Sequence, residues 1–329
     1  MSIPSTSRRR VLAASAAAPL AVAMPRAFAQ QGGWPDKPVR LILGYPPGGA
    51  ADGVARPLEP RLQAGLGQPL VFDYKPGAGA TLAAALCAKA APDGYTLHLT
   101  DAGPMCIVPA GKKLPYDPLA DFTPIGNVCA GGTLVVAHPS LGVKSIADLV
   151  AAAKAKPGLV YGTSGVGGAG HLAAELLQSM AGVQLTHAPY KGGNQAAADL
   201  VGGQIPLLFS SMSTAIPFVQ QGKIVALGVT SATRASVLPD VPTVAEQGLP
   251  GFEASLWFGL VGPAKLPAEI VTKAHAALTA TLADRAVQDA IRRQGYEPVP
   301  GSTAEFAARI RADGEKWAKV VRDAKIAFD

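Results

Sequence analysis

Three glycine-rich turns are the parts of this chain best suited to bind a small anion. Each turn follows a hydrophobic run typical of a buried strand and precedes a stretch with helical character. The turns span residues 45–49, 163–168 and 191–194. Backbone N–H groups and helix N-termini that meet at the carboxyl edge of a parallel sheet attract a carboxylate or another small anion. Because the first turn is far along the chain from the other two, we expect a cleft between two lobes.

The elements that position these turns alternate between strands and helices, which predicts an α/β fold with mainly parallel sheets flanked by helices. Strand patterns cover residues 39–44, 70–73, 95–100, 133–138, 159–162, 184–188, 206–210, 224–230 and 254–261. Helical patterns cover residues 51–65, 80–91, 145–156, 169–181, 194–202, 214–221, 267–294 and 303–324. Pro57 and Pro60 predict that the first helix is short or kinked, and a run of prolines predicts a loop over residues 103–127.

Two crossover segments, near residues 128–133 and 249–255, separate these elements into two blocks. We therefore predict that lobe 1 comprises residues 30–130 and 252–329, and that lobe 2 comprises residues 131–251. A chain of 329 residues is long enough for two units of this size.

The second turn carries two motifs that indicate other chemistry. Residues 165–170 match the G-x-G-x-x-G pattern of a dinucleotide site, but residues 184–188 lack the acidic side chain that such a site needs, so we expect no cofactor. Residues 162–166 resemble a nucleophile elbow, except that Val166 stands in place of the closing glycine. We expect Ser164 to donate a hydrogen bond to a ligand. A secreted serine hydrolase that uses Ser164 is the alternative.

The remaining polar residues favour structural roles. The five histidines have no metal-ligand spacing, so we expect no metal site. His171 is expected to make a structural hydrogen bond in the first turn of its helix. Asp52 follows the first glycine turn, and we expect it to cap the next helix by accepting from its free N–H groups.

The amino terminus predicts export. Arg8-Arg9-Arg10 precedes an apolar run over residues 11–24, and Ala27-Phe28-Ala29 has the form of a cleavage site, so residues 1–29 are a predicted signal peptide. The general secretory and twin-arginine routes both remain open. Loss of this segment lowers the number of Lys and Arg residues from 29 to 25, against 23 acidic residues, so the net charge falls from +6 to +2. The mature chain therefore has a basic excess of only two residues and no basic stripe of the kind that nucleic-acid binding requires.

Three cysteines, Cys87, Cys106 and Cys129, occur in the predicted mature chain. An oxidising compartment permits one disulfide and leaves one thiol unpaired. We expect the pair to be Cys106 and Cys129.

Short segments spread over nearly 300 residues carry a family resemblance. They include residues 45–49, 76–79, 92–97, 116–118, 161–165, 171–173, 189–192 and 238–243. In this order they resemble the Bug family of extracytoplasmic solute receptors, which is related to the TctC-type receptors of tripartite tricarboxylate transporters.

The resemblance implies a two-lobed periplasmic binding protein of type II, or Venus flytrap, without catalysis or cofactor. It implies a small carboxylated metabolite as ligand, which leaves dicarboxylates, tricarboxylates, amino acids and aromatic acids open. The carboxylate would be met by loop N–H groups, hydroxyls and bound water rather than by arginine. A periplasmic monomer that delivers its ligand to membrane components of a transporter, or to a sensing partner, is expected.

The resemblance also implies a set of ligand-binding residues. In lobe 1 these are Tyr45, Pro47, Gly48, Gly49, Ala50, Asp101 and Ala102. In lobe 2 they are Ser164, Gly165, Gly167, Gly168, His171, Tyr190, Ser210 and Ser211.

Overall fold

Strands and helices alternate along the chain, as the hydrophobic pattern predicts. The computed structural model describes residues 33–323, so the predicted signal peptide over residues 1–29 and the last residue of the predicted carboxyl-terminal helix lie outside the described residues. The strands in this range are β1 (Val39–Leu43), β2 (Leu70–Tyr74), β3 (Thr96–Asp101), β4 (Phe122–Ala137), β5 (Leu159–Thr163), β6 (Leu185–Pro189), β7 (Leu207–Ser211), β8 (Val225–Val229), β9 (Ser255–Pro263) and β10 (Glu297–Pro298).

The helices supply the layers that cover the sheet. The α-helices are α1 (Ala50–Leu66), α2 (Thr81–Ala88), α3 (Val108–Gly111), α4 (Ile146–Ala155), α5 (Ala169–Ala181), α6 (Gly193–Val201), α7 (Met212–Gln220), α8 (Ala268–Ala283), α9 (Arg285–Arg293) and α10 (Thr303–Asp323). A π-helical turn over Gly103–Ile107 leads into α3. Short 3₁₀ turns occur at Ala78–Ala80, Pro139–Leu141 and Ala245–Gln247.

The strands form one continuous mixed sheet in the order β2-β1-β3-β9-β4-β7-β5-β6, and β8 and β10 also pair with β4. The outer strands are parallel, with β1 between β2 and β3 in one half and β5 between β6 and β7 in the other. The central strands β4 and β9 pair antiparallel with each other and with their neighbours. The turns after β5, β6 and β7 therefore open at one edge of the sheet, because parallel strands end on the same side.

Strand β4 joins the two halves of the sheet. Its amino-terminal part pairs with β9 as far as Gly132 opposite Ser255. From Thr133 onward the same strand pairs with β7 and β8. The predicted crossover near residues 128–133 is thus part of an uninterrupted strand, and the chain returns between the end of β8 and the start of β9.

A buried hydroxyl ties the three segments that cross between the halves. The Thr230 hydroxyl oxygen accepts from the backbone N–H of Thr133 at 2.7 Å and lies 3.0 Å from the carbonyl oxygen of Ala254. The Thr133 and Thr230 hydroxyl oxygens are 2.9 Å apart, and both residues are buried. These contacts hold β4, the end of β8 and the segment before β9 together.

The prolines are better tolerated than the sequence analysis predicts. Helix α1 runs over 17 residues with Pro57 and Pro60 inside it, so the prediction of a short helix is wrong. Burial of Val54, Leu58 and Leu62 on one face compensates for the backbone hydrogen bonds that the prolines remove.

Two other boundaries also differ. The predicted loop over residues 103–127 contains the π-helical turn, α3 and the start of β4, because Pro104 and Pro109 occupy first-turn positions where a helix needs no N–H. The single helix predicted over residues 267–294 is two helices. They meet at Asp284, whose carboxylate accepts from the N–H groups of Ala286 and Val287 at the start of α9.

The predicted disulfide between Cys106 and Cys129 is wrong, because all three cysteines are free and buried. Cys106 packs in the π-helical turn and donates to the carbonyl of Ile310 at 3.4 Å, whereas Cys129 belongs to a different hydrophobic cluster. Burial raises the pKa of Cys87 to about 12 and that of Cys106 well above its usual range, so these thiols stay protonated.

Between residues 33 and 323, no helix has both the length and the apolar character to span a membrane.

We predict that Thr230→Val lowers the free energy of unfolding by about 2 to 3 kcal/mol, since it leaves the Thr133 N–H buried without a partner. Chemical denaturation monitored by circular dichroism measures this difference. Thr272→Val removes an exposed helix hydroxyl and is the matched control, with an expected change below about 0.5 kcal/mol. Equal effects of the two substitutions would contradict the role of the buried contact.

Candidate functional site

The first glycine turn connects β1 to α1 and is held by its own side chains. Gly48 has a φ of +75°, which favours glycine, and its N–H donates to Asp52 Oδ2 at 2.9 Å. The other carboxylate oxygen of Asp52 accepts from Arg56 Nε at 3.1 Å and from the Tyr74 hydroxyl. Asp52 therefore closes the turn before α1 and does not cap the helix as predicted, because Gly49 is the N-cap and Asp52 lies within the first helical turn. The charge of Asp52 is matched by Arg56.

The second glycine turn, between β5 and α5, is held in the same way. Thr163 Oγ1 accepts from the N–H of Gly165 at 3.2 Å and lies 2.7 Å from His187 Nε2. The N–H of Gly167 donates to His171 Nδ1 at 3.2 Å, which is the structural hydrogen bond predicted for this histidine. The two imidazole rings stack with centroids 4.2 Å apart.

Burial keeps both histidines neutral. It lowers the pKa of His171 and of His187 to about 4, and a neutral ring is what allows His171 Nδ1 to accept from Gly167. Tyr161 stacks on His187, and its hydroxyl donates to the Glu175 carboxylate at 2.7 Å. These histidines shape the turn beside Ser164, and the geometry gives them a different role from the one that a serine hydrolase requires.

These contacts change which N–H groups can reach a ligand. The amides of Gly48, Gly165 and Gly167 donate inside their own turns and are not free for a ligand. Short loops with nearby Asp, Thr or His side chains close on themselves in this way. The available donors come instead from the helix starts that follow the turns.

Four helices begin at the same place. Helices α1, α5, α6 and α7 have Gly49, Gly168, Gly192 and Ser211 at their N-caps, and none of these caps accepts a side-chain hydrogen bond from a backbone N–H of the helix. The Ser211 hydroxyl instead lies 2.8 Å from the Thr214 hydroxyl. Of the helices that begin elsewhere, α4 and α9 are capped by Ser145 and Asp284, whereas α2, α3 and α8 have no side-chain cap. The first-turn amides of a helix have no partner within the helix and carry partial positive charge.

A cavity of about 250 Å³ lies where these helices begin. Its size suits a small metabolite, since drug-sized sites are larger. Phe209, Leu256 and Phe258 form apolar walls, and Asp101 and Lys191 are the charged residues of the lining. The other lining residues are Tyr45, Pro46, Gly49, Ala50, Thr133, Ser164, Ala169, Gly170, Gly192, Gly193, Asn194, Gln195, Ser211 and Thr214.

The structure brings only part of the predicted residue set to this cavity. Tyr45, Gly49, Ala50, Asp101, Ser164 and Ser211 line it. The predicted residues outside the lining are Pro47, Gly48, Ala102, Gly165, Gly167, Gly168, His171, Tyr190 and Ser210. Successive strand residues face opposite sides of a sheet, so Ser211 of β7 reaches the cavity and Ser210 is buried on the other side. The Tyr190 hydroxyl donates to Asp199 at 2.8 Å.

The lining residues that the sequence analysis missed belong to three groups. The first lies close in sequence to residues that the analysis singled out: Pro46, Ala169, Gly170, Gln195, Phe209 and Thr214. The other two groups are residues 191–194 and a set on the central strands. Residues 191–194 were recognised as a glycine turn, and their position at a strand end was the signal that could have assigned them to the site. Thr133, Leu256 and Phe258 lie inside the long central strands β4 and β9, where no sequence motif distinguishes them.

Loops from the two halves of the sheet meet over the cavity. Asn194 Nδ2, at the start of α6, donates to the carbonyl oxygen of Gly48 at 3.4 Å. A side chain at Gly79 would place its Cβ 2.9 Å from the carbonyl oxygen of Val166, and one at Gly192 would contact Pro46. The loops are therefore close together, and Pro46, Gly192 and Asn194 of these loops line the cavity.

Asp101 is the acidic residue in the lining. Its Oδ1 accepts from the N–H of Gly103 at 2.7 Å, and the Tyr45 hydroxyl also bonds to the carboxylate. Burial raises the pKa of Asp101 to about 6. Among residues 33–323, no lysine, arginine or histidine forms an ion pair with it.

Comparison with known proteins identifies the family. The family model described as "Tripartite tricarboxylate transporter family receptor", TctC, matches residues 54–326. This chain belongs to that family. BugT of Bordetella pertussis is 34% identical over 293 residues, which cover 88% of this chain and 90% of BugT.

Solved structures of similar proteins show the same architecture. Rpa4515 of R. palustris with adipate is 35% identical with a TM-score of 0.85, and the alignment covers 89% of this chain and 99% of that one. The periplasmic binding protein BugD is 32% identical with a TM-score of 0.84, and the alignment covers 89% of this chain and 99% of BugD. MatC from Rhodopseudomonas palustris with bound malate is 30% identical with a TM-score of 0.83, and the alignment covers 88% of this chain and all of MatC. The comparisons confirm the predicted family, its periplasmic binding protein fold and a solute-binding function.

We predict a pH dependence from Asp101. Its pKa is raised from 3.8 to about 6, so the folded state binds more protons than the unfolded state across this range, and the free energy of unfolding falls as the pH rises through it. Asp101→Asn removes this cost. The stability of the variant relative to the unmodified protein should increase by about 2 to 3 kcal/mol between pH 4 and pH 7.5.

Chemical denaturation of the variant and the unmodified protein at pH 4 and at pH 7.5 gives the difference in their free energies of unfolding at each pH, and the change in that difference is the predicted quantity. Asp117→Asn is the matched control, because Asp117 accepts from the N–H of Leu119 two residues on, in an exposed turn where water screens the charge. An equal stability difference at both pH values for Asp101→Asn would contradict the prediction.

Proposed function

We propose that this receptor captures a small carboxylated metabolite in the cavity and delivers it to membrane components of a tripartite tricarboxylate transporter. We place the mature protein in the periplasm, as a monomer that binds its ligand without converting it. The predicted signal peptide and the match to periplasmic receptors support this location.

The observation that carries the proposal is the convergence of four helix starts without side-chain caps on one cavity. Each start presents backbone N–H groups and the positive end of a helix dipole. The Ser164 hydroxyl adds a further donor to the lining, and the hydrogen-bonded hydroxyls of Ser211 and Thr214 have one proton left to donate. A carboxylate is costly to bury unless several donors satisfy it, and this arrangement supplies them without an arginine.

The similar structures support the ligand class. Rpa4515 is described with adipate and MatC with malate, and both compounds are small carboxylates. These proteins share 35% and 30% sequence identity with this chain, so we extend to it the general class of small carboxylate and no particular compound.

We propose that binding is coupled to closure of two lobes, residues 30–130 with 252–329 and residues 131–251. The buried contact between Thr133 and Thr230 lies where the chain crosses between them and suits a pivot. The bond from Asn194 to Gly48 then belongs to the closed arrangement. A ligand that contacts both lobes favours that arrangement by mass action.

A ligand screen by thermal shift at pH 7.5 tests the proposal. The probes are monocarboxylates, dicarboxylates, tricarboxylates, amino acids and aromatic acids, each compared with the amide in which a neutral carboxamide replaces the carboxylate. A true ligand at a hundredfold excess over its Kd raises the stability by about 2.7 kcal/mol. If no carboxylate stabilises the protein, or if the amides do so equally, the proposal fails.

A pair of cap substitutions then tests the mechanism with the best ligand. Ser211→Asp places a carboxylate on the uncapped start of α7 inside the cavity, so we expect at least a hundredfold loss of affinity with no loss of folding stability. Ser145→Asp makes the same change on α4, which begins away from the cavity, and serves as the control. Isothermal titration should find the control within twofold of the unmodified protein. Equal affinity in the two variants would contradict the proposed anion site.

A further inference from the structure

Asp101 shares the cavity lining with one other charged residue, Lys191, which makes no ion pair with it in the described part of the chain. Asp101 is only 4% exposed, lines the cavity and forms no ion pair within residues 33–323. Its two protein partners, the N–H of Gly103 and the hydroxyl of Tyr45, are neutral donors. A buried carboxylate without a positive partner is unfavourable, so a functional reason for this residue is required.

The groups that face Asp101 from neighbouring elements are also neutral. They are Tyr45 before α1, Cys106 in the π-helical turn, Tyr116 after α3 and Tyr296 before β10. Burial raises the pKa of each of these groups, so none of them ionises near neutral pH. None of the four can become a cation, and the carboxylate therefore has no counter-charge among them.

A structural role alone does not account for the charge. Asp101 Oδ1 accepts from an amide two residues ahead, and the side-chain oxygen of asparagine would accept that bond equally well. Asparagine would also avoid the cost of burying an ionised group. An ionised side chain is therefore useful here only if a ligand in the cavity carries a charge that the carboxylate attracts or repels.

The position of Asp101 shows what that partner would be. Its carboxylate comes from the end of β3, opposite Phe258 of β9, on the sheet side of the cavity. The uncapped amides come from the helix starts. The lining thus offers a negative group at the sheet and positive partial charges at the helices.

Resting on the proposed function, we infer that the ligand carries an ammonium or a similar cationic N–H group in addition to its carboxylate, and that Asp101 selects it. The ligand class is then an amino acid or another amino-substituted carboxylic acid. A second carboxylate at the same end would meet Asp101 as a like charge and would be rejected. Asp101 is the specificity-determining residue that separates this receptor from one for simple dicarboxylates.

Length-matched ligands test this assignment at pH 8.0, where Asp101 is ionised. Each set has one chain length and three end groups: an amine, a methyl group or a second carboxylate. The sets are 4-aminobutyrate, butyrate and succinate; 5-aminopentanoate, pentanoate and glutarate; and 6-aminohexanoate, hexanoate and adipate. In at least one set the amino acid should bind at least tenfold more tightly than both partners by isothermal titration.

Two substitutions locate the effect. Asp101→Asn keeps the bond to Gly103 and removes the charge, so the amino acid should lose at least tenfold in affinity and the dicarboxylate should gain. Asp117→Asn is the matched control and should leave all affinities within twofold. The best ligand of the wider carboxylate screen is measured in the same three proteins.

The outcomes separate this inference from the proposed function. Dicarboxylates that bind as tightly as, or more tightly than, the amino acids would overturn the inference and leave the carboxylate receptor intact. A best ligand without a cationic nitrogen whose affinity changes less than twofold in Asp101→Asn would also overturn it. Failure of every carboxylate to bind would instead overturn the proposed function.

Discussion

The structure depends on one electrostatic constraint: an anion can leave water only where enough donors replace its hydration. In the site that we propose, the donors are main-chain amides at the starts of α1, α5, α6 and α7, which have no side-chain cap. Main-chain donors are rigid and carry no full charge that would hold a ligand too tightly for release. The sheet order explains how they meet, because β5, β6 and β7 end at one edge and β1 supplies the fourth helix start from the other half.

The side chains around the turns serve this arrangement indirectly. Asp52 and His171 each take the amide of a glycine in the turn before their helix, which fixes the turn without using the helix starts. The stacked rings of His171 and His187 remain neutral because they are buried, and they add no charge that would compete for an anion. The segments that cross between the two halves of the sheet are joined at the Thr230 hydroxyl.

Much of this arrangement could be predicted from sequence because its signals are local. Hydrophobic runs of four to six residues identified the outer strands, and glycine turns after them identified the positions of the helix starts. Three features depend on distant packing and could not be predicted. Helix α1 continues through Pro57 and Pro60 because its buried face compensates for them. Cys106 and Cys129 lie in separate clusters. Phe258 lines the cavity from the central strand β9, and no local sequence signal shows which strands pair with β9.

A structure of the complex with the tightest carboxylate ligand tests the central claim most directly. We predict that the carboxylate oxygens lie within about 3.2 Å of first-turn amide nitrogens, or are bridged to them by one water. These amides should come from at least two helices, one of them α1 and the other α5, α6 or α7. A carboxylate held only by the side chain of Lys191, or located away from all four helix starts, would contradict it.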